Sequence, residues 1–175
     1  MGILLFTALT VDLFYQKSRV EDELVNITNY LTDVQAYSSF VGSGSFSAQD
    51  LTGVPGSMMG RAIQYMNYAH NTAMAYANQN GPTLEAMYSQ QMQGNQTPEQ
   101  QQKMHNYVIR TLYMQKREEI SKREASRLHV LETKVGARKN KKQTQYDEIT
   151  KLIDTYQKMR DKSIDDMIPK FGNNG

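Results

Sequence analysis

The sequence predicts an all-α fold, an elongated helical hairpin or coiled-coil-like bundle with long N- and C-terminal helices, forming one domain over residues 1–175. Three observations predict it. Phe6, Leu13, Val20, Leu24, Ile27, Leu31 and Val34 fall on one alternating three-four spacing, with Thr10 and Lys17 filling the gaps, which keeps one seam of a helix facing a partner. A second such series, Leu128, Leu131, Val135, Ile149, Leu152, Tyr156, Met159 and Ser163, occupies the other end. Between Pro98 and Pro169 there is no proline, leaving room for a helix of about 70 residues, ~105 Å long at 1.5 Å per residue.

The first element is a helix over 3–38, opening with the nearly uncharged run "MGILLFTALTVDLF". The run lacks a basic start ahead of its apolar stretch, since Lys17 comes after it, so a cleavable leader is not expected. It falls short of the roughly 20 residues a membrane span needs and contains Asp12. Phe6 stands where an N-myristoylation signal on Gly2 would carry Ser or Thr. A helix apolar all round must instead be covered, and burial by protein is expected ahead of shallow insertion at a membrane surface.

"VGSGSFSAQDLTGVPGS" concentrates Gly, Ser and Pro and gives a loop over 39–56, with a helical turn around Ala48–Leu51. A second helix follows over 57–79. Its Met59, Ala62, Ile63, Met66, Ala69, Ala73, Met74 and Ala77 cover one face suited to packing on the first helix. Gly81-Pro82 predicts a break, a short helix over 83–92, and a second break at Gly94-Asn95.

The last helical region covers 97–168. Thr97 caps it, Pro98 takes the first position where a missing N–H costs nothing, and Glu99 complements the dipole. Met104, Val108 and Leu112 start its apolar face, and Ile120 continues it. Between Val135 and Ile149 the seam positions become Arg138, Lys142 and Gln145, so the seam opens. A bend near 136–143 and a straight helix are both compatible with this pattern. A Gly/Asn tail over 169–175 follows.

Composition excludes several kinds of chemistry. With no cysteine there is no disulfide framework, thiolate nucleophile or thiolate metal site. No HExxH, Walker loop, Rossmann fingerprint or GxSxG elbow occurs, and His105 and His129 are too far apart to share a metal. His70 has no carboxylate or second histidine at helical spacing. Asp161 and Asp165 are one turn apart but sit among Lys158, Arg160 and Lys162, which favours local ion pairing over a cation site. The expectation is a non-enzyme with no cofactor, no metal and no small-molecule substrate.

Charge is unevenly distributed. Residues 1–100 carry three Lys/Arg against eight Asp/Glu, and residues 101–175 carry seventeen against ten, giving net charges of −5 and +7. Such a dipole suits self-association between opposite ends, or a basic surface seeking an anionic partner. The densest cationic stretch is "KVGARKNKK", where Lys134, Arg138, Lys139, Lys141 and Lys142 have no acidic partner inside the stretch. Two readings apply: a solvated helix face or hairpin tip, and a phosphate-contacting surface for nucleic acid or anionic lipid. Aromatic stacking residues are missing from the stretch, which disfavours base recognition.

The expected function is a self-assembling structural subunit: a filament, rod, ring or adaptor component of a bacterial or viral assembly. The residues expected to carry self-association are Leu4, Phe6, Leu9, Leu13, Val20, Leu24, Ile27, Leu31 and Val34 on the first helix, with Leu128, Leu131, Val135, Ile149, Leu152, Tyr156 and Met159 on the last. The expected partners are copies of the chain or other subunits of an assembly, with a weak polyanion or membrane-surface contact as the alternative. The absence of Cys and Trp, the helical ends around a variable middle and the uncovered apolar start resemble, in general character, axial proteins of flagellar and injection-type secretion machines. That likeness is one of composition and no motif carries it. With no leader expected, the location expected is cytoplasmic, virion-associated or reached by a signal-less export route.

Overall fold

The structure is a computed structural model that describes residues 2–43, 50–91 and 97–167. It is all-α. The elements are α1 (Gly2–Gly42), a 3₁₀ turn (Asp50–Gly53), α2 (Gly56–Gln91) and α3 (Pro98–Asp165), with no strand among the described residues.

Helix α1 contains neither proline nor an internal glycine between residues 3 and 41, and it continues four residues past the predicted end to Gly42. There the Ser43 N–H donates to the Ser39 carbonyl at 3.0 Å and the Ser43 hydroxyl to the Phe40 carbonyl at 2.8 Å, which satisfies part of the open helix end. Of the predicted helical turn only Asp50 and Leu51 are described, and they open a 3₁₀ turn that runs Asp50–Gly53. Residues 44–49 of the predicted loop, residue 92 of the predicted short helix, the Gly94-Asn95 break and the 169–175 tail lie outside the described residues.

The break predicted at Gly81-Pro82 does not form: α2 runs through both residues, joining the predicted 57–79 and 83–92 pieces. Pro82 lacks the N–H that would close on the Asn78 carbonyl, a loss normally costing ~3 kcal/mol. Tertiary contact compensates. Gly81 lets Ile109 press onto the helix so closely that a Cβ there would lie 2.7 Å from Ile109 Cδ1. One turn on, Glu85 Oε1 meets His105 Nδ1 at 2.7 Å, and Asn80 Nδ2 donates back to the Tyr76 carbonyl at 2.8 Å.

Helix α3 starts as expected at Pro98. Thr97 Oγ1 accepts from the Gln100 N–H at 3.3 Å while Gln100 Oε1 accepts from the Thr97 N–H at 2.9 Å, a reciprocal capping box. It then runs 68 residues without interruption, so residues 136–143 are helical and make no turn. Gly136 costs about 1 kcal/mol of helix propensity there, too little to break a helix held on both sides by packed turns.

The chain divides into two compact units. In one, Met1–Leu31 and Thr133–Gly175, the start of α1 lies antiparallel to the end of α3. Leu13, Val20, Ile149 and Ile153 form its core, with Leu24, Tyr146 and Tyr156 at the margin. Phe6 stacks on Tyr156 at 6.3 Å between ring centroids, and Lys17 Nζ sits 4.9 Å over the Tyr146 ring.

The other unit, Thr32–Glu132, is a three-helix packing. Its main core joins Val34, Tyr37, Phe40 and Val41 of α1, Met58, Ala62, Tyr65 and Ala69 of α2, and Ile120 and Leu128 of α3. Ala62, Ala69, Ala73 and Ala77 are all fully buried, so small side chains let α2 approach closely. Glu124 ties the three helices together: it accepts from Arg61 Nη2 at 2.7 Å and from the Tyr37 hydroxyl at 3.3 Å. Burial, with the Glu124 charge adding to it, pushes the Tyr37 hydroxyl well above its ordinary pKa.

Candidate self-association surface

The α1 seam buries as its spacing predicts. Leu13, Val20, Ile27 and Val34 are buried, as is Thr10, while Phe6, Leu24 and Leu31 are half-buried. Thr10 tolerates its place because Oγ1 donates to the Phe6 carbonyl at 2.7 Å. On α3, Leu128 and Ile149 are buried and Leu131, Val135 and Tyr156 half-buried. These residues are spent within the chain, so of the expected self-association set only Leu4, Leu9, Leu152 and Met159 remain exposed.

Leu152 and Met159 expose a shift of register. The residue on the seam is Ile153, 4% exposed, while Leu152 is 44% exposed. The seam of α3 runs Lys142, Tyr146, Ile149, Ile153, Tyr156, Arg160 and Ser163, alternating four and three. Nor does the seam open between Val135 and Ile149. Lys142 fills it by pairing with Glu23 at 2.6 Å, and Tyr146 by lying under Lys17. The hydrogen bond from Lys142 holds the Glu23 carboxyl below the usual carboxylate range.

The outer surface of α1's first four turns is the exposed remainder. Leu4 is 79% exposed, and Leu5, Val11, Phe14 and Tyr15 are exposed with it. Leu4, Val11 and Phe14 follow at steps of seven and three, a stripe separate from the buried seam, and Leu5 with Leu9 forms another. Reading the seam alone missed Leu5, Val11 and Phe14. Their signal was the same uncharged opening run, apolar on every side of the helix. No helix among the described residues is long and apolar enough to cross a membrane.

The five basic residues do not converge. Lys142 is engaged by Glu23, Lys139 is half-buried, and Lys134, Arg138 and Lys141 project outward on one four-three stripe. Arg138 borders a shallow groove of about 310 Å³ with Glu23, Asn26 and Tyr30. Elsewhere, His70 and His105 line one open groove of about 420 Å³ between α2 and α3. His70 bonds the Tyr113 hydroxyl at 3.0 Å and His105 bonds Glu85. Tyr113 and His105 are separated by two turns of α3, about 12 Å of rise, so the imidazoles do not share a centre. Among the described residues no group of three or more His, Asp or Glu is placed to hold a metal ion.

Comparison with protein families, curated proteins and solved structures found no match to this chain.

Proposed function

We propose that the chain is a non-catalytic structural subunit that assembles with copies of itself into a filament, rod, ring or adaptor of a larger assembly, secretion machinery being one setting such a part suits. The observation that carries the reading is the start of α1, where one stripe is used inside the chain and Leu4, Leu5, Val11 and Phe14 are left exposed. Isolated exposed leucines need no explanation, but a run of them on one helix marks a surface that is covered in the working state. A second copy is the occupant favoured by charge, because the exposed Asp12, Glu21 and Asp22 of α1 complement exposed cationic positions of α3 such as Arg110 and Lys134.

Light scattering on the full chain and on a Leu4→Asp/Val11→Asp variant tests this. The natural chain is expected to grow in mass with concentration and to keep its size as salt rises, because apolar burial persists under screening. The variant is expected to stay at one chain. A natural chain that remains monomeric at all concentrations refutes the proposal.

A second reading rests on Lys134, Arg138 and Lys141, exposed on one stripe of α3. It makes the chain a binding module for polyanions. Retention on heparin that falls steeply with salt, and is lost in a Lys134→Gln/Arg138→Gln/Lys141→Gln variant, would favour it over assembly.

A further inference from the structure

Within the three-helix unit, α1 stops at Gly42 while α3 continues past it. Near its end α1 packs on α3, where the Ser121 hydroxyl donates to the Val41 carbonyl at 2.9 Å. Beyond it lies an open groove of about 760 Å³, bordered by Gly42, Tyr107, Met114, Arg110, Arg117 and Lys122. Tyr107, Thr111, Met114, Glu118 and Ser121 succeed one another at alternating steps of four and three, the same kind of stripe that receives α1 further along. Short of Ser121 the stripe is open: Tyr107 and Met114 are both more than half exposed, and Glu118 is exposed with them.

We propose that this groove receives the exposed α1 stripe of a second copy, Leu4, Val11 and Phe14. The inference rests on the self-association reading and adds the identity of both faces. Length matches: Leu4 to Phe14 spans ~15 Å of helix and Tyr107 to Glu118 ~17 Å, at 1.5 Å per residue. Chemistry matches as well. The α1 stripe of Leu4, Val11 and Phe14 is flanked by the exposed Asp12, while the groove sets Tyr107 and Met114 beside Arg110 and Arg117. Methionine adapts its shape to an incoming side chain, and arginine supplies the counter-charge. The two faces are different surfaces of the chain, so the contact is heterologous. Repeated from copy to copy it yields an open polymer or, where the rotation closes, a ring.

The chain has no cysteine, so an introduced thiol is unique. Val11→Cys and Met114→Cys chains are mixed in equal amounts and treated with a short bismaleimide, with Gln101→Cys as the exposed-thiol baseline. The expected result is a mixed Val11–Met114 adduct exceeding either homotypic adduct by about tenfold, and falling to baseline when Arg110→Glu is added to the Met114→Cys chain. Predominant Val11–Val11 adducts would overturn the groove as the receiving face while leaving self-association standing. Baseline adducts throughout, with the natural chain at single-chain mass, would overturn both. Adducts at baseline with the natural chain sedimenting on phosphatidylcholine vesicles would likewise overturn the groove, with lipid taking the place of a second copy.

Discussion

Ile153 and Leu152 are adjacent, both large and both apolar, and the antiparallel α1–α3 pair treats them oppositely. Ile153 is 4% exposed among Leu13, Val20 and Ile149, and Leu152 is 44% exposed. Truncating a buried isoleucine removes its transfer free energy and leaves a cavity, ~2–5 kcal/mol in well-enclosed cores. A core of two helices collapses more readily than one enclosed on all sides, which places Ile153→Ala near the lower end, at about 2–3 kcal/mol. For Leu152→Ala, nearly half the side chain already meets water and alanine is the better helix former, so the cost is about 0.5–1 kcal/mol. The assay is urea unfolding followed by helical circular dichroism, at a protein concentration where the mass is that of one chain. Equal costs, or a larger cost at Leu152, would refute the register. If Leu152 also serves assembly, its truncation shows as a loss of concentration-dependent mass and leaves the single-chain midpoint almost unmoved.

Further outcomes follow from other contacts. Arg61→Met strips Glu124 of its closest partner, leaving the Tyr37 hydroxyl and Arg127 at 3.9 Å, and is expected to cost about 1–3 kcal/mol by urea unfolding. Adding Glu124→Gln should recover part of that loss. Glu23 is depressed in the folded chain, so its contribution is present above the unfolded carboxylate value and disappears as pH falls through the folded one. The melting temperature should therefore decline between about pH 5 and pH 3 less steeply in Lys142→Gln than in the natural chain, and converge with it at lower pH. Gly81→Val drives a side chain into Ile109 and should cost about 1–3 kcal/mol, relieved when combined with Ile109→Ala.

What was readable in the sequence was periodicity, and what was lost was what periodicity cannot weigh. Helix α1 was legible because its seam is written in Leu, Ile and Val, with only Thr10 and Lys17 between. Its partner stretch on α3 was misread by one position because Leu152 and Met159 offer an apolar series as regular as the real one. The real one passes through Lys142, Arg160 and Ser163, residues that read as surface. Lys142 belongs to the seam through Glu23, 119 positions earlier in the chain, and nothing local to Lys142 announces that partner. The same holds at Pro82. Local chemistry says break, and the contact that overrides it comes from Ile109 across the fold. Of the proposed surface, the opening run was visible and its occupants were not, since which faces stay bare depends on where α1 stops along α3.

The energetics of the exposed α1 residues constrain what kind of assembly they can make. Leu4, Val11 and Phe14, the stripe that enters the groove, are each between 48% and 79% exposed. Together they offer between one and two whole side chains of apolar surface, about 3–5 kcal/mol if wholly buried. Association costs roughly 4–15 kcal/mol in lost freedom, so this surface alone comes near break-even and gives a weak joint. Asp12 beside Arg110 and Arg117 raises the encounter rate and fixes register. A heterologous joint adds one contact for every chain added, so each step of growth has about the affinity of the first. On the proposed reading, the assembly therefore lengthens gradually with concentration and does not stop at two chains. Smooth pairing that saturates at two chains would point to a symmetric α1–α1 contact instead.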